Sequence, residues 1–178
     1  MPEVEIPEHV SDDREKRIGL TIAIIAILLA VVSSLGKDED NEKIVGEVKA
    51  SNGFAWYQSK RIRQGMNDLF IEQLKVERLG TATPAQLEEM KKIEDRLAAK
   101  NAEYVKENEQ IQKDAKLQQE GAEHSAKTAD RYNKAEIFLQ IGVVFCSITL
   151  LTKRRGFFYL GIVLAMVGVG VGVSAFLM

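Results

Sequence analysis

Cysteine occurs once in the 178 residues, as Cys146, and proline three times, as Pro2, Pro7 and Pro84. One cysteine excludes an intramolecular disulfide and a cysteine metal cluster. Its place within an apolar run suits a small packing residue. Histidine is limited to His9 and His124, and no His, Cys or carboxylate group has metal-ligand spacing. Phosphate-binding glycine loops are absent as well. Gly46, Gly53 and Gly65 fall inside a helical pattern, where glycine serves close packing or local bending. No catalytic residue, cofactor or metal is expected, and the chain is not read as an enzyme. An excess of one charge sign is also missing, because 24 basic residues are interspersed with 26 acidic ones for a net charge of -2. Without a basic face, nucleic acid is excluded as an expected partner.

What the chain does have is three long apolar runs, at residues 18–35, 135–151 and 157–178. Runs of roughly 17 to 22 residues match the helix length that crosses about 30 Å of hydrocarbon. The expectation is an all-α, multi-pass membrane protein whose spans lie in the lipid bilayer. Residues 1–17 form an N-terminal tail, 36–134 an extramembrane segment and 152–156 a basic loop. The first run is read as an uncleaved anchor, since the tail before it is acidic and its core exceeds that of a signal peptide. Arg14, Lys16 and Arg17 precede the first span, and Lys153, Arg154 and Arg155 link the second to the third. Basic flanks face the cytoplasm, which puts the N-terminus inside and residues 36–134 outside.

The extramembrane segment carries a helical rhythm. Val48, Ala55, Ile62, Leu69 and Val76 recur every seven residues and form a wholly apolar column, the pattern of a coiled-coil seam. Its partner column is weaker, with Asn52, Ser59 and Gln73. Gly80 to Pro84 then combines a glycine, a capping threonine and a first-turn proline, and Thr83 with Gln86 has capping-box spacing. The chain is expected to reverse near 80–84. Beyond the turn, Met90, Leu97, Tyr104, Ile111, Gln118, Ser125 and Tyr132 form one column. Leu87, Glu94, Asn101, Asn108, Ala115, Ala122 and Ala129 form the other. The arms are of nearly equal length, so an antiparallel, coiled-coil-like hairpin would return to one membrane surface after about 70 Å. Such a hairpin buries little apolar area, and self-association is expected. Asn52, Asn101 and Asn108 either face water or fix register across the seam.

The stretch Trp56-Tyr57-Gln58-Ser59-Lys60-Arg61-Ile62-Arg63, placed after a first anchor and before a C-terminal pair of spans, resembles the bacterial membrane-protein family described as domain of unknown function 4337. That family carries an aromatic-rich Tyr-Gln-Ala-Lys-type motif after its first span, with Ser59 here where alanine is common. The resemblance implies a bacterial envelope location, here the inner membrane, and no activity to carry over. Trp56, Tyr57, Gln58, Lys60 and Arg61 are candidates for contact with a headgroup, an envelope protein or another subunit through stacking and cation–π interaction. A helix-packing cluster is the plainer reading.

All three spans carry small residues at helical spacing. Gly161, Ala165, Gly168, Gly172 and Ala175 line the third, Gly19, Ala23, Ala26, Ala30 and Ser33 the first, and Ala135, Gly142, Cys146 and Thr149 the second. Small residues let membrane helices approach closely. Glu136 and Gln140, four residues apart on the second span, are candidates for a polar or pore site, or else mark the water boundary and a helix contact. The expected function is a homo-oligomeric membrane scaffold with a helical hairpin. The alternative is an oligomeric channel or transport accessory with Glu136 and Gln140 near its mouth.

Overall fold

The computed structural model describes residues 13–80 and 82–178; residues 1–12, which include His9, and Thr81 lie outside the described residues. Among the described residues there are three helices and no strand: α1 (Asp13–Glu77), α2 (Pro84–Thr152) and α3 (Arg155–Phe176). Helices of this length form because no proline interrupts them. Pro84 stands at the first position of α2, where its missing N–H costs nothing. Each helix contains a stretch long and apolar enough to cross a membrane. The chain divides into two compact units, one comprising the segment ending at Glu42 with His124–Met178, the other Lys43–Glu123.

In the first unit α3 packs on α2 through small side chains. Gly161, Ala165, Gly168, Gly172 and Ala175 are all buried. A Cβ placed on Gly168 would lie 2.9 Å from Leu139 Cγ and 3.0 Å from the Ala135 carbonyl oxygen. On Gly161 it would lie 2.6 Å from Cys146 Sγ and 2.9 Å from the Gly142 carbonyl oxygen. Backbone thus meets backbone, and the contact rests on dispersion between closely packed atoms. The core consists of Ile25, Leu139, Cys146 and Ala165, with Ile22, Leu29, Val32, Val143, Phe158 and Val169 packed around it. Between α2 and α3, Lys153 adopts a left-handed backbone with φ 56°, and its N–H donates to the Thr149 carbonyl at 2.9 Å. That is the usual αL ending of a helix, carried here by a residue other than glycine.

In the second unit the residues in contact pair rising numbers on α1 with falling numbers on α2. Cβ atoms placed on Gly46 and Gly53 would lie 2.9 Å from Ala122 Cβ and 2.8 Å from Ala115 Cβ. Lys60 pairs with Glu107. Asn67 Nδ2 donates to Asn101 Oδ1 at 2.8 Å, and Asn101 Nδ2 donates to Asp68 Oδ1 at 2.6 Å. Arg78 Nη2 meets Glu94 Oε2 at 2.5 Å, with Lys75 3.7 Å from the same carboxylate. At the start of α2 the Thr83 N–H donates to Gln86 Oε1 at 2.8 Å and the Gln86 N–H to Thr83 Oγ1 at 3.4 Å, the reciprocal bonds of a capping box.

Candidate functional site

The two sides of α1 in the second unit decide what that unit can bind. On one side Gly46, Gly53, Lys60, Asn67 and Leu74 recur every seven residues, as do Ala50, Tyr57, Gln64, Ile71 and Arg78, and all are buried or half-buried. These positions meet α2. The apolar column expected to do so points elsewhere: Val48, Ile62, Leu69 and Val76 are 54%, 63%, 68% and 68% exposed, and Ala55 is exposed too. The correction has a physical reason. The facing surface of α2 offers Ala115 and Ala122, then Asn101, Glu107 and Glu94, and each wants a particular partner. Alanine at close range wants glycine, the carboxylates want Lys60 and Arg78, and Asn101 wants an amide or carboxylate. An unpaired buried polar group costs about 1–3 kcal/mol, and the face that α1 turns inward supplies partners for Asn101, Glu107 and Glu94 that the apolar column lacks. On α2, by contrast, Asn101, Asn108, Ala115 and Ala122 are buried, and Leu87, Met90, Glu94, Leu97, Tyr104 and Ile111 half-buried.

The α1 face left outward is broad. Ile44, Val45, Val48, Trp56, Ile62, Met66, Leu69, Phe70 and Val76 are its exposed large side chains. Asn52, Ser59 and Gln73 interrupt it, at intervals of seven and fourteen residues, and its flanks hold few charges, namely Lys49, Arg63, Glu72 and Glu77. Little charge would need desolvation if it were covered.

The aromatic–basic motif straddles both sides. Lys60 lies 6.0 Å from the Trp56 ring and 5.5 Å from the Tyr104 ring while pairing with Glu107. Arg61 lies 6.0 Å from the Tyr57 ring. Tyr57 and Lys60 are half-buried against α2, whereas Trp56, Gln58 and Arg61 are exposed. A shallow cavity of about 260 Å³ opens beside Trp56, lined also by Asn52, Gly53, Ile111 and Asp114. Tyr104 and Glu107 complete this cluster and were not among the sequence candidates. The signal for them was only that Tyr104 stood in a seam column.

In the first unit, the third-span stripe packs on Gly142 and Cys146 of α2 as described. The first-span stripe is placed otherwise: Gly19, Ala23, Ala26 and Ala30 are exposed, and a Cβ on Gly19 would meet nothing within 4 Å. Within one chain α1 packs through Ile18, Ile22, Ile25, Leu29 and Val32 instead. Gln140 Nε2 donates to Glu136 Oε1 at 2.9 Å, so these two polar side chains satisfy each other on α2.

A protein-family model described as Domain of unknown function (DUF4337) matches residues 14–178, and the chain belongs to that family. No curated protein and no solved structure matches it.

Proposed function

We propose that this member of a family without an assigned activity is a non-catalytic, self-assembling membrane scaffold. In this reading three helices cross a bacterial inner membrane with the N-terminus in the cytoplasm. Residues 36–134 form an antiparallel, coiled-coil-like hairpin outside the lipid. The observation that carries the proposal is the outward apolar face of α1 between Ile44 and Val76. Its nine large side chains each leave on the order of 100 Å² in water, so together they expose roughly 800–900 Å². That exceeds the few hundred Å² usual for the largest patch of a monomer and equals about one partner's share of a specific interface.

The occupant is a second copy of the same face. Val45, Asn52, Ser59, Met66 and Gln73 fall on a positions and Val48, Ala55, Ile62, Leu69 and Val76 on d positions of a heptad register, which suits a partner helix with the same rhythm. Two copies in one membrane run parallel, and Asn52 then meets Asn52 of the second copy, where a polar a position fixes register. Envelope proteins with a matching helix are the other partners this face admits. The conducting alternative calls for polar residues around an axis, and the pair on offer, Glu136 and Gln140, is bonded to itself.

Replacing Ile62 and Leu69 with glutamate in the full chain tests the proposal. In lipid nanodiscs the native protein is expected as one defined oligomer and the double variant as monomer. A native protein that is monomeric at every concentration sinks it. For topology, thiol labels at Ala85 and Gly156, with Cys146 replaced by alanine, should react from opposite sides of the membrane.

A further inference from the structure

The N-terminal end of α1 and the start of α3, both in the first unit, enclose a cleft of about 360 Å³ lined by Asp13, Arg14, Arg17, Ile18, Arg155, Phe158 and Tyr159. Three arginines therefore line a space whose remaining wall is Asp13 and the aliphatic and aromatic side chains of Ile18, Phe158 and Tyr159. Two acids stand nearby, each beside a lysine: Asp13, itself part of the lining, lies 3.9 Å from Lys16, and Glu15 lies 3.9 Å from Lys153. Arg14 is anchored, since its Nη2 donates to the Lys153 carbonyl at 3.2 Å. Among the described residues, neither Arg17 nor Arg155 forms an ion pair with a carboxylate.

We infer that this cleft binds the phosphate of an anionic phospholipid headgroup. Guanidinium groups present parallel N–H donors that fit phosphate oxygens two at a time and are less strongly hydrated than an ammonium, so arginine holds a phosphate with more geometric specificity than lysine. Ile18, Phe158 and Tyr159 sit where the apolar runs of α1 and α3 begin. In a membrane protein that level is the headgroup region, and the apolar wall would accept the glycerol backbone and upper acyl chains. The volume lies within the range of small-ligand pockets. A zwitterionic lipid brings its own cation, which the arginines repel, so the site selects net negative headgroups. The inference rests on the reading of α1 and α3 as membrane spans.

Native mass spectrometry of the full chain in detergent, titrated with phosphatidylglycerol or phosphatidylcholine, tests it. One phosphatidylglycerol per chain is expected to be retained in preference to phosphatidylcholine. Arg17→Gln with Arg155→Gln should weaken retention by roughly tenfold or more. A control with the same charge change, Lys91→Gln with Lys92→Gln, should leave it unchanged. If the glutamine pair does not fold, Arg17→Lys with Arg155→Lys serves, with a loss of roughly threefold or more at constant charge. Equal binding of both lipids, or retention insensitive to either arginine pair, overturns the inference. So does binding of inorganic phosphate at millimolar concentration without selective retention of phosphatidylglycerol. Carbonate extraction of native membranes separates the two failures. Release of the protein refutes the spans themselves, whereas a protein that stays embedded yet ignores headgroup charge refutes only the cleft.

Discussion

Asn108 is buried on α2, and neither its amide nitrogen nor its amide oxygen has a hydrogen-bond partner among the described residues. Its neighbour in the same column, Asn101, is also buried but bonded to Asn67 and Asp68. The two asparagines were indistinguishable in sequence, because the difference lies in what α1 places opposite them. Asn108→Leu is expected to raise stability by about 1 kcal/mol, since it removes an unsatisfied amide worth about 1–3 kcal/mol. Asn101→Leu, which strands two partners, should lower it by about as much. Thermal unfolding of the detergent-solubilised protein reads both. Glu94 provides a pH test. The hydrogen bond from Arg78 holds its carboxyl below the ordinary value of 4.5; desolvation opposes it, and the charges of Arg78 and Lys75 add to the lowering. A depressed folded-state value means that the contact's contribution is full above the unfolded value and is lost as pH falls through the folded one. Helicity followed below about pH 4.5 should therefore fall less steeply in Glu94→Gln than in the native chain. At Lys153 the left-handed φ of 56° costs about 1–2 kcal/mol for a residue with a Cβ. Lys153→Gly is expected to recover about 1 kcal/mol in the same melt.

At the scale of the helices, glycine has two meanings that spacing alone does not separate. A Cβ on Gly53 would press on Ala115 Cβ at 2.8 Å, while one on Gly121 would meet nothing within 4 Å. Gly121→Ala should stabilise α2 by about 1 kcal/mol through helix propensity. In Gly53→Ala that gain is offset by overpacking of about 1–3 kcal/mol. Gly168→Leu, with Leu139 Cγ at 2.9 Å and the Ala135 carbonyl at 3.0 Å from its Cβ position, should separate α3 from α2 and lower the melting temperature. The existence of three helices was legible because proline is nearly absent and the apolar runs are long. The Thr83–Gln86 cap was legible because its chemistry is local. The face that α1 turns to α2 was not. Ranking columns by hydrophobicity selects Val48, Ala55, Ile62, Leu69 and Val76, but contact between two helices depends on side chains that match in pairs. Gly46 and Gly53 look like poor seam residues until Ala122 and Ala115 are placed against them.

At the scale of the whole molecule, the chain has more apolar helix surface than its own helices cover. The first-span residues Gly19, Ala23, Ala26 and Ala30 and the outer face of α1 in the Lys43–Glu123 unit both remain outward. A helix with two opposite faces of seven-residue period fits two neighbours, and one chain supplies only one of them. The column Val48, Ala55, Ile62, Leu69 and Val76 was legible as an apolar face of seven-residue period, but it does not face α2; a seam with a second copy is what the proposed function assigns to it. Cysteine cross-linking tests the account most directly. With Cys146 replaced by alanine, single cysteines are placed at Ile62 or Leu69, and at the exposed α2 position Lys116 as control, in native membranes. Parallel d positions bring Cα atoms to about 6 Å, within disulfide reach. The account predicts efficient disulfide-linked dimers at Ile62→Cys and Leu69→Cys and few at Lys116→Cys; monomers at all three positions, or dimers only at Lys116→Cys, would contradict it.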